Sequence, residues 1–105
     1  MTDLSRADGR ARIGAVIRGQ VQGVGFRWFV VRHAGQLGLV GWVGNAPDGS
    51  VAFEAEGGRA ALDRLLELVQ EGPPGAVVRG VSSTELVPTR SDSKFAVRSL
   101  AHRGD

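Results

Sequence analysis

Residues Gly19 to Arg27 read Gly-Gln-Val-Gln-Gly-Val-Gly-Phe-Arg. Gly23 and Gly25 free the backbone to curl, and Phe26 and the permanent cation Arg27 follow at once. A strand-like stretch precedes the run and a helix-like stretch follows it. Such a loop can aim successive backbone N–H groups, a helix N-terminus and a guanidinium at one point, which makes a site for a phosphate. Gln22, Gly23, Val24, Gly25, Phe26 and Arg27 are the candidate phosphate-binding residues. An ordinary strand-to-helix turn carrying a surface arginine has the same pattern. No Gly-Lys-Ser/Thr is present, which argues against a nucleotide triphosphate loop. The chain has no cysteine, so a phosphocysteine intermediate, disulfides and thiolate metal sites are all excluded.

Asn45 is the second candidate. It stands just before Ala46-Pro47-Asp48-Gly49, where asparagine is a common turn residue. If it shares a rim with the loop, its amide can hold a water through the oxygen and donate to a phosphoryl oxygen through the nitrogen. No strong base or nucleophile stands nearby. His33 and His102 read as helix-border and tail residues, Asp48 as a turn residue, and Glu54 and Glu56 as solvated neighbours on one strand face. Trp28 and Trp42 are expected to pack at the ends of their elements, though either could flank the site. No His/Asp/Glu cluster has metal spacing, so neither metal nor cofactor is expected.

The elements must bring these residues together. Ile13, Ala15 and Ile17 alternate onto one face and predict a strand over Ile13 to Gly19, after a flexible arm over residues 1–12. Phe26, Phe29, Val30, Ala34 and Leu37 form one helical stripe that Gly38 ends. A strand over Leu39 to Gly44, the Asp48-Gly49 turn and a strand over Val51 to Ala55 make a hairpin. Leu62, Leu65, Leu66 and Val69 line a second helix, stopped by Gly72-Pro73-Pro74-Gly75. Ala76 to Val87 and the short Phe95-Ala96-Val97 complete the set, with a polar loop over Pro88 to Ser93 between them. The order β-α-β-β-α-β plus a short strand predicts an α+β fold: a ferredoxin-like α/β sandwich, one antiparallel sheet with two helices on one face. The first and second strands would then run parallel with the third between them, their carboxyl ends ~10 Å apart on one rim. That rim would carry both Gln22–Arg27 and Asn45.

At 105 residues the chain is expected to be one domain, residues 13–105 after the arm. All but one of its thirteen basic residues are arginine, and the net charge is only +2. The arginines are scattered without a basic block, which gives no nucleic-acid arm. No apolar run approaches the ~20 residues of a membrane span, and residues 1–12 lack the apolar core of a signal peptide. A cytoplasmic monomer without nucleic-acid or membrane partners is the expectation.

Gly19 to Arg27, then Leu37-Gly-Leu-Val-Gly-Trp-Val-Gly-Asn45, then Asp48-Gly-Ser-Val51 closely resemble the acylphosphatase family. The similarity continues through Glu56-Gly57, Gly72-Pro73 and Phe95-Ala-Val-Arg98, and covers nearly all of residues 13–98. It implies a ferredoxin-like fold and hydrolysis of carboxyl–phosphate anhydrides, with a small acyl phosphate as substrate and inorganic phosphate as product. By that resemblance Arg27 matches the phosphate-binding arginine, Asn45 the asparagine that orients the attacking water, and Gln22 to Phe26 the cradling loop. Gln20 and Gly44 depart from the commonest pattern, which often has basic residues there, and so lower the positive charge at the rim. The alternative is a non-enzymatic ferredoxin-like module that binds RNA or a protein partner.

Overall fold

Alternating Ile13, Ala15 and Ile17, all buried, seat the strand on which the fold is built. The computed structural model describes residues 9–100. Their order is β1 (Arg10–Gln20), α1 (Phe26–Gln36), β2 (Val40–Asn45), β3 (Val51–Gly58), α2 (Arg59–Glu71), β4 (Val77–Leu86) and β5 (Phe95–Val97). The strands form one sheet in the order β4-β1-β3-β2-β5. β3 pairs antiparallel with both β1 and β2, so those two run parallel and end at the same edge. Ile17 on β1 and Asn45 on β2 both face Val51 across the β3 ladder. The shared rim expected from the element order is therefore present.

One core joins the inward faces of β1, β2 and β3 to Phe26, Val30 and Ala34 of α1 and Leu62, Leu65 and Val69 of α2. Leu66, expected within that stripe, is only half-buried. Gly38 N–H bonds back to the Gly35 carbonyl and Leu39 N–H to the Ala34 carbonyl, closing α1 where the sequence predicts. Among the described residues no helix is long and apolar enough to cross a membrane. The sheet is mixed, since β5 lies parallel to β2. The chain leaves β4 at one edge, reverses across the face away from the helices, and settles on the other edge.

Two readings are corrected by the structure. β1 begins at Arg10, so Arg10 to Arg12 belong to the sheet and not to an arm; residues 1–8 lie outside the described residues. Glu56 is not solvated: it is 1% exposed. Arg12 and Glu56 face each other across the β1–β3 ladder, and the Arg12 guanidinium reaches Glu56 at 2.8 Å, Glu54 at 2.8 Å and Asp92 at 3.0 Å. The crossing loop closes over them, with Thr89 N–H donating to Glu56 at 2.8 Å and Arg90 N–H at 3.0 Å. Arg10 adds a further bond to Glu56, at 2.6 Å.

Burial alone would raise the Glu56 pKa, but bonds from Thr89 N–H, Arg12, Arg10 and Arg90 N–H outweigh it and hold the carboxyl at about 2. A carboxyl depressed in the fold stabilises the protein fully above its unfolded value. The contribution, about 3 kcal/mol, is lost as pH falls from about 4.5 through about 2. Urea midpoints measured from pH 5 to pH 2 are expected to fall steeply in the unsubstituted protein. Glu56→Gln should be less stable at neutral pH and show a flatter profile over that window. Parallel profiles would remove Glu56 as the source.

Candidate active site

Val21 is 1% exposed and Phe26 2% exposed, so both ends of the glycine loop are pinned in the core. Between them Gln22, Gly23 and Gly25 are exposed and Val24 is half-buried. Gly23 (φ 77°) and Gly25 (φ 80°) both take the left-handed conformation, and Gly25 is the N-cap of α1. A Cβ built on either glycine meets nothing within 4 Å. Backbone conformation therefore demands glycine here, and the space before the loop is open. Phe29 N–H bonds to the Gly25 carbonyl at 3.0 Å. Among the described residues no protein acceptor is paired with the N–H groups of Gln22 to Trp28. The first turn of α1 carries no acidic side chain. Open amides, the positive end of α1 and an uncapped start favour an anion.

Arg27 stands in that first turn, half-buried. Among the described residues no carboxylate pairs with it, in contrast to Arg10, Arg12, Arg59 and Arg64. Its guanidinium fork remains available for a bidentate partner.

Asn45 ends β2, and its side-chain oxygen Oδ1 is buried with no hydrogen-bond partner among the described residues. Buried acceptors are rarely left so, and one at a rim beside open amides is suited to a water or a substrate group. Asn45 leads into a turn held by Ala46 N–H to Ser50 O at 2.8 Å and Gly49 N–H to Ala46 O at 3.1 Å. The Gln22 amide spans from the loop to this turn, its Nε2 lying 2.9 Å from both Ala46 O and Ser50 O. The Gln22 side chain is thus engaged with the turn, while its backbone N–H has no protein acceptor among the described residues.

Other titratable residues take structural places. Asp48 accepts from Ser50 Oγ at 2.6 Å and Ser50 N–H at 3.0 Å, and these bonds, with nearby Arg18, lower its pKa. It is a turn residue and a poor base. His33 lies edge-on to Phe29, ring centroids 4.5 Å apart. Burial lowers its pKa, helped by Arg32 and Arg64. His102 lies outside the described residues. Trp28 does not pack at its helix end: it is 64% exposed, on the side of α1 away from the core. Trp42 is half-buried, with the Arg98 guanidinium carbon 4.7 Å from its ring centre. Among the described residues no group of His, Asp and Glu could hold a metal ion.

Fold and rim together give a ferredoxin-like sandwich with a glycine-rich loop of open amides on the same rim as a buried asparagine oxygen. The chain belongs to the acylphosphatase family, whose sequence model matches residues 13–97. It is 43% identical over 86 residues to an acylphosphatase of Methylococcus capsulatus, covering 82% of this chain and 94% of that one. Its fold is similar to the crystal structure of the Bacillus subtilis acylphosphatase, with TM-score 0.81 and 38% identity over 84% of this chain and 98% of that one. The Coxiella burnetii acylphosphatase structure gives TM-score 0.80 and 39% identity, covering 93% of this chain and all of that one (100%).

Gly44, one of the two departures from the commonest pattern, has a steric reason. A Cβ there would run into the Arg98 carbonyl and come within 2.7 Å of Leu100 Cγ. The chain after β5, held by Arg98 N–H to Val43 O at 2.8 Å, occupies the room a longer side chain would need.

Proposed function

We propose that this protein hydrolyses the carboxyl–phosphate bond of small acyl phosphates by direct attack of water. One observation supports this most: the buried Oδ1 of Asn45, without a hydrogen-bond partner among the described residues, shares a rim with the open amides of Gln22 to Arg27. The loop N–H groups and Arg27 hold the equatorial phosphoryl oxygens as charge redistributes. Asn45 Oδ1 accepts a hydrogen bond from the attacking water. Its oxygen forms the new bond to phosphorus as the bond to the acyl oxygen breaks. The carboxylate leaves with the electron pair, and the water's proton passes to a phosphoryl oxygen. A carboxylate is a weak base that departs without protonation, so the site needs no general acid. Positioning and charge stabilisation are the main requirements. The proposed groups all belong to one chain, so a monomer suffices.

Among the described residues the strands offer no open aromatic platform for the RNA-binding alternative. Phe53, the aromatic of β3, is 1% exposed in the core, and Trp42 is covered by Arg98. The purified protein is expected to hydrolyse benzoyl phosphate, followed by ultraviolet absorbance, at the same rate with and without EDTA. No hydrolysis would overturn the activity. Loss in EDTA with recovery on adding a divalent cation would overturn the metal-free route.

A further inference from the structure

We infer that Gln22 is a positioning residue whose side chain couples the phosphate loop to the water-holding asparagine. This rests on the activity proposed above and adds a role to a residue otherwise counted only for its backbone. Both neighbours of its amide are carbonyl oxygens, at 2.9 Å each, so the atom between them must be the nitrogen. Its two hydrogens serve Ala46 O and Ser50 O separately. Each of those carbonyls already accepts one bond within the turn, from Gly49 N–H and Ala46 N–H respectively. Gln22 occupies the second lone pair of each, so the turn's acceptors and the amide's donors are matched.

The placement of this bridge matters more than its strength. The loop and the Asn45 turn come from different strands, separated across the rim by the start of β3. Within the loop, Gly23 and Gly25 give the backbone unusual freedom. Ala46, which Gln22 grips, is the residue after Asn45. Without the amide, the turn keeps its own internal bonds and the loop its buried ends at Val21 and Phe26, but their relative position loosens. Phosphate binding needs only the loop and Arg27. In-line attack needs loop and Asn45 in fixed register. A small misplacement of water relative to phosphorus costs rate without costing phosphate affinity.

The test is a double-mutant cycle on kcat for benzoyl phosphate, with inhibition by inorganic phosphate measured alongside. Gln22→Met keeps the length of the side chain and removes the donor. It is expected to lower kcat about tenfold in the otherwise unsubstituted protein, and less than about twofold when Asn45 is already Ala. The phosphate inhibition constant should move less than about twofold. Equal falls in both backgrounds, an unchanged kcat, or phosphate inhibition weakening in step with kcat would each overturn the coupling. Should Gln22→Met fail to fold, Gln22→Asn reads the same cycle, because its shorter amide cannot reach both carbonyls. Failure of the unsubstituted protein to hydrolyse benzoyl phosphate would instead strike the activity itself, so the two failures are distinguishable.

Discussion

Arg27→Gln is expected to abolish nearly all hydrolysis while leaving the fold intact. Among the described residues Arg27 has no carboxylate partner, so its removal breaks no ion pair and exposes no buried charge. Its place in the first turn of α1, after the open amides, makes it the one full positive charge within the proposed cradle. The phosphoryl group would lose a bidentate, charge-assisted contact just where charge redistributes. Truncating one partner of such a pair costs about 2–5 kcal/mol, roughly 30- to 5,000-fold in kcat/KM. The urea midpoint should stay close to that of the unsubstituted protein, as for most surface changes. Arg27→Lys keeps charge but loses the planar fork, and should fall between. Steady-state rates with benzoyl phosphate and inhibition by inorganic phosphate measure both effects. Substantial turnover by Arg27→Gln would remove Arg27 from the site.

What the sequence made legible is what depends on pattern. Ile13, Ala15 and Ile17 alternate because one face of β1 is buried, and Phe26, Val30 and Ala34 recur because one stripe of α1 is. The element order then sufficed to place the glycine loop and Asn45 on one rim, since a split β-α-β unit leaves its two parallel strands ending together. The charge network on the other face was not legible. Arg12 and Glu56 lie far apart in the chain, and their meeting depends on strand register. Glu56 sits at an outward-facing position, and it is covered by Thr89 and Arg90, in a loop whose path local propensity does not set and whose Asp92 pairs with Arg12. Outward alternation therefore suggested solvent where the chain itself provides cover. The parallel pairing of β5 escaped for the same reason: that direction follows from where the crossing loop lands. At the candidate site, the backbone curl at Gly23 and Gly25 was readable, and both take the left-handed conformation. The reach of the Gln22 side chain to Ala46 and Ser50 was not, because an amide's partner has no signature in spacing.

Asn45→Ala should separate catalysis from both binding and stability. The buried Oδ1 of Asn45 receives no hydrogen bond from the described residues, so it contributes no internal bond that the fold would miss. Removing it breaks no bond to the described residues, so the urea midpoint should stay close to that of the unsubstituted protein. On the proposed mechanism the attacking water would lose its orienting acceptor, and kcat is expected to fall on the order of 10²-fold. The loop amides and Arg27 are untouched, so inhibition by inorganic phosphate should change little. This pattern, with kcat lost and both phosphate affinity and stability retained, differs from that of Arg27→Gln, where phosphate inhibition weakens too. If phosphate inhibition collapsed with kcat in Asn45→Ala, Asn45 would be a phosphate ligand. If the midpoint dropped by an amount typical of a lost buried hydrogen bond, its amide would be part of the scaffold of the rim. Only the first pattern assigns to Asn45 the placement of water, and it requires nothing from the asparagine beyond an oxygen held still at the end of β2.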